Sequence, residues 1–272
     1  MDAEEPDAEN VDTEGAAGEE VGPYEVDYAE ERWLQKVLRA NPRASRRSAA
    51  TLLRSAREQK ARGEAAEALE LQVRVLDALR ERFGDDDELA LGVLVQVATT
   101  AFELGWWEEA FDAYRQLEES YARIHGAEDP RTLKVQVWEG LALEHLDRAG
   151  EALRILDGAV SAAREVLGGD AEELAGYLTI LARAQVRAGD PSGAEASIRE
   201  GLDIRSRGLG EDDPRAIASL RDLARLRFDQ GDLDEATVLA QSLVVRSTEQ
   251  FGPDHERTVA ARELLERIGR SD

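Results

Sequence analysis

The sequence predicts an all-α protein, an α-solenoid of about five 42-residue helical hairpins followed by a C-terminal capping helix. Three observations support this fold class. Residues of the same type recur at a fixed 42-residue step along most of the chain. Ala, Leu, Arg and Glu dominate the composition and only 5% of residues are aromatic, which is typical of helical proteins. Alternating apolar and polar runs bounded by turns, which indicate strands, are missing from the sequence.

Four ladders of residues share the 42-residue step. The first is Gly84, Gly126, Gly168, Gly210 and Gly252. The second is Gly63, Gly105, Asp147, Gly189 and Gly231. The third is Ala68, Ala110, Ala152, Ala194 and Ala236, and the fourth is Ala56, Ala98, Gly140, Ala182 and Ala224. Self-similarity at this period predicts a stack of identical supersecondary units.

Each ladder has a place in the hairpin. A glycine of the first ladder ends the second helix of a hairpin, where a left-handed residue is expected. A residue of the second ladder turns the first helix into the second, and the small residues of the other ladders let paired helices approach closely. Asp129-Pro130 and Asp213-Pro214 predict an N-cap followed by proline at the first helical position.

These signals predict the helix boundaries and the division of the chain. The first helices are expected at 44–61, 88–104, 130–146, 171–188 and 214–230. The second helices are expected at 65–82, 107–124, 149–166, 191–208 and 233–250. A capping helix is expected at 256–268, within a segment of residues 252–272. The five repeats are 42–83, 84–125, 126–167, 168–209 and 210–251.

The N-terminal segment differs in composition from the repeats. Thirteen acidic residues and no Lys or Arg lie within the first 31 positions. A segment with so little apolar surface cannot offset its ordering entropy, so we expect residues 1–27 to form an acidic disordered tail. Residues 28–41, which include Trp33 and Leu38, are expected to form an N-terminal helix or cap.

Composition limits the classes of partner. The formal net charge is -24, which disfavours nucleic acid and anionic membranes as partners. No cysteine is present, so disulfides, thiol catalysis and cysteine-ligated metals are excluded, which suits a reducing cytoplasm. The sequence has no apolar run of about 20 residues and no signal-peptide pattern. We therefore expect a cytoplasmic location.

The repeat resembles the tetratricopeptide repeat, in the 42-residue form of kinesin light chains and their bacterial relatives. Its clearest copies run from Gly126 through Ala152 and from Gly210 through Ala236. The resemblance implies a right-handed superhelix whose first helices line a concave face that binds extended peptides or partner helices. The asparagine pair that often holds a peptide backbone in that family is replaced here, for example by Thr179-Ile180 and Arg221-Asp222.

The repeat register also suggests a binding site. Arg183 and Arg187, like Arg221 and Arg225, are four residues apart and share a helix face. Since guanidinium groups bind carboxylates in bidentate geometry, these arginines predict a pocket for an acidic segment or a C-terminal carboxylate. The alternative is that they pair with local acids, for which Asp222, Asp229 and Glu200 are available.

Four further residues are candidates for partner contact. Arg57 and Thr179 share repeat columns with the arginines, and His145 falls in a third column of the same face. Trp106 follows the turn glycine Gly105 and is expected to be an exposed interface anchor, whereas Trp107 is expected to pack under the turn.

Catalytic chemistry is not predicted. The three histidines are His125, His145 and His255, and His125 is expected to fill an apolar slot of the repeat. The sequence contains no zinc-protease, phosphate-loop or serine-hydrolase motif. We expect no enzymatic activity, no cofactor and no metal.

Three functional interpretations remain open on sequence alone. The first is an adaptor that binds a peptide or helix of a partner in its concave groove. The second is a structural scaffold that self-associates, and the third is a regulatory subunit of a signalling complex. The acidic tail predicts an additional device, in which it occupies the arginine-rich groove and competes with the partner.

Overall fold

The computed structural model describes residues 42–271, with side chains described from residue 46 on. The helices in this part of the chain are α1 (Pro42–Ala61), α2 (Ala65–Phe83), α3 (Glu88–Leu104), α4 (Trp107–His125), α5 (Pro130–His145), α6 (Ala149–Leu167), α7 (Glu172–Arg187), α8 (Pro191–Leu209), α9 (Pro214–Asp229), α10 (Leu233–Phe251) and α11 (Glu256–Gly269). Residues 42–271 contain no strand. The predicted acidic tail (1–27) and N-terminal helix (28–41) lie outside the described residues.

The helices stack in chain order, so each one packs against the helix before it and the helix after it. Contacts between first helices of neighbouring hairpins add to this stacking where α5 meets α7 and where α9 meets α11. Every predicted helix boundary lies within about two residues of the observed one, which is the usual uncertainty of a helix end. The all-α solenoid predicted from the ladders is confirmed.

Helix starts follow the predicted capping chemistry. The Asp129 carboxylate accepts a hydrogen bond from the Arg131 amide at 2.9 Å, with Pro130 in the first turn. Asp213 makes the same contact with the Arg215 amide at 2.9 Å, next to Pro214. These side chains satisfy amide groups that a helix start leaves without an intrahelical partner, and so fix where α5 and α9 begin.

Glycines at the ends of the second helices differ from the prediction in one respect. Gly126 has φ 102° and ψ 156°, and Gly210 has φ 95° and ψ 154°, so their φ is positive but their ψ is extended. The expected left-handed helical conformation occurs instead at the turn inside the hairpin, as at Gly105 with φ 77° and ψ 16°. The physical reason is that the chain leaves the second helix in an extended direction toward the next repeat.

Alanine at Gly126 should therefore destabilise the protein. A residue with a Cβ is strained in the φ and ψ region of Gly126, so we expect Gly126→Ala to lower the free energy of unfolding by about 1–3 kcal/mol. Gly158 is the matched control, because it is exposed inside α6 and a Cβ there would meet nothing within 4 Å. Gly158→Ala should raise the free energy of unfolding by about 0.5–1 kcal/mol in the same denaturant titration. Equal effects of the two changes would contradict the backbone assignment.

The core is continuous within neighbouring repeats, as expected of a solenoid. Buried aliphatic side chains such as Leu79, Leu117, Leu156 and Leu223 fill the space between first and second helices. Gly140 shows why a small residue recurs in its ladder, since a Cβ added there would lie 2.5 Å from the Leu156 Cγ. Close approach of α5 and α6 therefore depends on this glycine.

Candidate functional site

A cavity of about 490 Å³ opens between the first helices α7 and α9. The floor is formed by α8, through Ser197, Ile198 and Gly201. One wall carries Arg183 and Arg187 of α7, and the opposite wall belongs to α9. We call this space the arginine cavity. A volume of this size is typical of sites that take a small ligand or a few side chains.

All four arginines singled out by the sequence line this cavity. They are Arg183, Arg187, Arg221 and Arg225, and Thr179 lies among them. The four-residue spacing places each pair on one helix face, and Arg183 and Arg225, which are 42 residues apart, lie on opposite walls. The geometry therefore gathers these residues in one place, as the repeat register predicts.

The arginines of α7 are held by a buried carboxylate. Glu144, in α5, has a side chain only 1% exposed. Its Oε1 accepts from the Arg183 Nη2 at 3.1 Å and lies 3.1 Å from the Arg187 Nε. Arg187 also donates through Nη1 to the Asp147 Oδ1 at 3.1 Å. Half of the basic charge in the cavity is therefore already opposed by carboxylates of the preceding repeat.

Glu144 occupies a position that three of the other repeats fill with apolar side chains, while the first repeat has Lys60 there. The residues 42 positions away in each direction are Phe102 and Val186, followed by Phe228. The second oxygen of Glu144, Oε2, is buried and has no hydrogen-bond partner. Because Glu144 lines the arginine cavity, this oxygen is an acceptor that a ligand N–H could satisfy.

The arginines of α9 are less firmly held. Arg221 pairs with the adjacent Asp222, with Nη2 and Oδ1 2.8 Å apart. Arg225 reaches Asp229 only at 3.9 Å, and its side chain is 74% exposed. An exposed pair at that distance contributes little stability, so Arg225 can exchange its partner at small cost.

The local-acid alternative is therefore partly confirmed. Asp222 and Asp229 pair with the arginines of α9, whereas Glu200 pairs with Arg164 at 2.8 Å and takes no part in the cavity. Four arginines and three carboxylates line the space, and a fourth carboxylate, that of Asp147, pairs with Arg187. The cavity is thus a mixed-charge site that gathers four arginines in a chain that is otherwise strongly acidic.

His145 lies beside the arginine cavity and is part of an aromatic cluster. Its ring stacks on Trp107, with centroids 4.0 Å apart, and Phe102 approaches its edge. Burial lowers the pKa of His145. The nearby Arg183 and Arg187 lower this pKa further, whereas the negative charge of Glu144 raises it. The predicted packing of Trp107 under its turn is confirmed, and His145 is mainly a packing residue here.

The structure does not bring the remaining candidates to this cavity. Arg57 is exposed on α1, at the opposite end of the array. Trp106 is half-buried against the core of the first repeats. The expectation that His125 fills an apolar slot is wrong, since the last turn of α4 leaves its ring exposed beside Tyr121, with ring centroids 5.7 Å apart.

Within the described part of the chain, no three His, Cys, Asp or Glu residues are grouped so as to hold a metal ion. None of the helices there is both long enough and apolar enough to cross a membrane.

Comparison with known proteins identifies the repeats. Residues 131–207 match the sequence model of the tetratricopeptide repeat. The matched segment covers most of α5 to α8, which are two hairpins of the array. These two hairpins are similar in sequence to the tetratricopeptide repeat. A search of the curated proteins finds no match.

Solved structures of repeat proteins share the fold of this chain. One is a Podosopora anserina structure described as a putative kinesin light chain with nearly identical TPR-like repeats. It is 22% identical, its TM-score is 0.66, and the match covers 74% of this chain and 94% of that chain. BtubC (BKLC) from P. vanneervenii is 17% identical, its TM-score is 0.58, and the match covers 88% of this chain and 84% of that chain. Both likenesses show a stack of helical hairpins, the fold that the 42-residue step predicts.

A third structure is a Rap protein complexed with Competence and Sporulation Factor. It is 13% identical, with TM-score 0.55 over 79% of this chain and 63% of that one. At such low identity these likenesses show the fold alone. The tetratricopeptide fold generally serves as a scaffold for protein–protein interaction.

Sequence reasoning missed two features of the site. Glu144 was not among the predicted site residues, because its column is mixed, with Lys60, Phe102, Val186 and Phe228 in the other repeats. Arg205 was also missed. It is only 8% exposed and donates to the Ser219 Oγ at 2.7 Å, so it closes the space next to the arginine cavity.

Proposed function

We propose that this protein is a non-catalytic interaction module that binds an acidic segment of a partner protein in the arginine cavity. The observation that carries the proposal is the convergence of Arg183, Arg187, Arg221 and Arg225 on one cavity. Guanidinium groups on two facing walls can hold a carboxylate from both sides, which fits an aspartate or glutamate side chain or a C-terminal carboxylate.

The contacts around the cavity suggest how a partner segment is held. Arg225 is the first arginine available, since its own carboxylate is 3.9 Å away. The unpartnered Oε2 of Glu144 accepts a hydrogen bond from an amide N–H of the same segment. A peptide that offers a carboxylate on one side and a backbone N–H on the other satisfies both walls.

The charge distribution supports this choice of partner. With a net charge of -24, the chain repels nucleic acid and anionic membranes, which makes protein the expected partner. A cysteine-free chain suits a reducing compartment, which supports a cytoplasmic location as part of the proposal. The alternatives are a self-associating scaffold and a regulatory subunit of a signalling complex.

Glu144→Gln tests the electrostatic part of the proposal. The change removes the buried anion that opposes Arg183 and Arg187 while keeping the size of the side chain. We expect affinity for a labelled Glu-rich peptide library to rise about threefold to tenfold, with a steeper salt dependence. The measurement is fluorescence anisotropy of the full chain at low and moderate salt.

A matched library in which Gln replaces every Glu serves as the control and should show no gain. Equal affinities of the wild type and Glu144→Gln for the acidic library would count against an acid-binding cavity. A gain of the same size for both libraries would show that the change acts through shape and not through charge.

A further inference from the structure

A second cavity, of about 630 Å³, lies between the first turns of α9 and α11, with α10 behind it. Ile217 and Leu243 form an apolar interior, and both are buried. Arg215, Arg221 and Arg257 stand around it. We call this space the α9–α11 cavity. It shares Arg221 with the arginine cavity but is built from different helices.

The preceding repeat fills the equivalent space with an arginine side chain. Ser247 lies in the α9–α11 cavity, and the residue 42 positions earlier is Arg205. The Arg205 Nη1 donates to the Thr179 Oγ1 at 3.1 Å and to the Ser219 Oγ at 2.7 Å, which places its guanidinium between α7 and α9. In that repeat, a basic side chain from the second helix closes the space between the two first helices.

The α7 wall next to Arg205 is acidic, although Arg215 of α9 also reaches Glu172 at 3.4 Å, whereas three arginines and one glutamate surround the cavity that holds Ser247. Glu172 lies 3.5 Å from the Arg205 Nε, and Glu173 is its neighbour on α7. One repeat later these two positions are Pro214 and Arg215. The charge of the wall is therefore reversed, and the side chain that would fill the space is reduced to a serine hydroxymethyl group.

Two polar groups at the α9–α11 cavity, the Ser247 hydroxyl and the Arg257 guanidinium, lack a hydrogen-bond or ion-pair partner among residues 46–271. Ser247 is only 1% exposed, and its Oγ has no hydrogen-bond partner. Arg257 lies over the Phe251 ring, 5.1 Å from its centroid, and within residues 42–271 no carboxylate pairs with it. Arg215 is already engaged by Asp213 at 3.1 Å, and Glu256 adds one negative charge at the edge.

We propose that the α9–α11 cavity binds a carboxylate carried on an apolar group. The apolar group contacts Ile217 and Leu243, and the carboxylate accepts from Arg257 and from the Ser247 hydroxyl. In the preceding repeat the cation of Arg205 lies against an acidic wall. In the α9–α11 cavity the bound anion lies against basic side chains instead. The same chemistry is presented by a free aromatic or aliphatic acid and by the C-terminal residue of a peptide.

Calorimetric titration of the full chain tests this site with 3-phenylpropionate and with its amide. We expect saturable binding of the acid with Kd on the order of 1 mM, and binding of the amide about tenfold weaker or worse. Arg257→Gln should weaken acid binding about tenfold, because it removes the unpaired cation. Ser247→Glu should abolish binding, since its own carboxylate then occupies the cavity.

Arg262→Gln is the matched control, because Arg262 is exposed on α11 and donates to the Pro253 carbonyl at 3.0 Å, outside the cavity. It should bind like the wild type. Arg257 is exposed, so Arg257→Gln keeps the test valid if Ser247→Glu does not fold. The proposal is overturned if the acid shows no saturable binding, if acid and amide bind alike, or if Arg257→Gln binds like the wild type.

The two sources of the carboxylate are separated with the peptide Gly-Gly-Phe and its C-terminal amide. Binding of the peptide acid about tenfold tighter than 3-phenylpropionate, with loss in the amide, assigns the site to a peptide C-terminus. Equal or weaker binding of the peptide acid assigns it to a free carboxylic acid.

Discussion

Reversing the charge of Arg221 and Arg225 together is expected to lower partner affinity by at least about tenfold while leaving the fold intact. Both side chains are more than half exposed, and neither holds a buried partner. Two carboxylates on the α9 wall would repel an acidic segment that the present arginines attract. Arg183 is less suitable for this test, because Glu144 is buried against it and a new carboxylate there would destabilise the repeat.

The comparison pair for this variant is Arg262→Glu with Arg270→Glu on α11. Arg262 and Arg270 are exposed and lie outside the arginine cavity, so the pair changes net charge equally without altering the site. Isotope-labelled affinity purification from the native cell gives the amounts of each partner retained. An equal loss of retained partner with both pairs would show that only overall charge matters. No loss of partner with either pair would show that the arginine cavity does not bind it.

Glu139→Gln is expected to stabilise the protein above neutral pH, by about 2 kcal/mol at about pH 8, with almost no effect at about pH 5. Glu139 in α5 is only 7% exposed and occupies a column that holds Val97, Leu181 and Leu223 in other repeats. Burial, together with the nearby Glu118, raises the pKa of Glu139 to about 7, against the pull of Arg115 and Arg154.

The sign follows from the protonation states. The folded protein holds this proton up to about pH 7, whereas the unfolded chain releases it near the ordinary value of 4.5. The wild-type protein therefore loses stability as the pH rises through that interval. The glutamine variant keeps its stability, because glutamine resembles the protonated acid and does not titrate. Urea titrations from about pH 5 to pH 8 measure the difference, with exposed Glu249→Gln as control. A gain that is constant across this range would contradict the raised pKa.

The sequence was sufficient for the fold because the same signals repeat in every hairpin. Aspartate caps such as Asp129 and Asp213, glycines after each second helix and alanines at the helix contacts all agree on one register. The two arginine pairs also followed from this register, since positions 42 residues apart face each other on neighbouring helices.

Features that break the repeat could not be predicted in the same way. Glu144 and Arg205 occupy columns that are otherwise apolar or mixed, and only the packed structure shows that both are buried with partners on other helices. The exposure of His125 did not follow from its column either, in which Phe83, Leu167 and Phe251 are half-buried. Glu144 and Arg205 lie at or next to the arginine cavity, where the protein differs from an ideal repeat.

Site-specific photo-crosslinking is the most direct test of binding in the arginine cavity. A photoreactive phenylalanine at Val186, which is 49% exposed and lines the cavity, would contact the partner segment. The matched position is Val238 on α10, 65% exposed and outside the cavity. The account predicts a covalent adduct from position 186 in the native cell that is lost with Arg221→Glu and Arg225→Glu. Adducts from position 238 alone, or an adduct at 186 that is only a second copy of this chain, would contradict it.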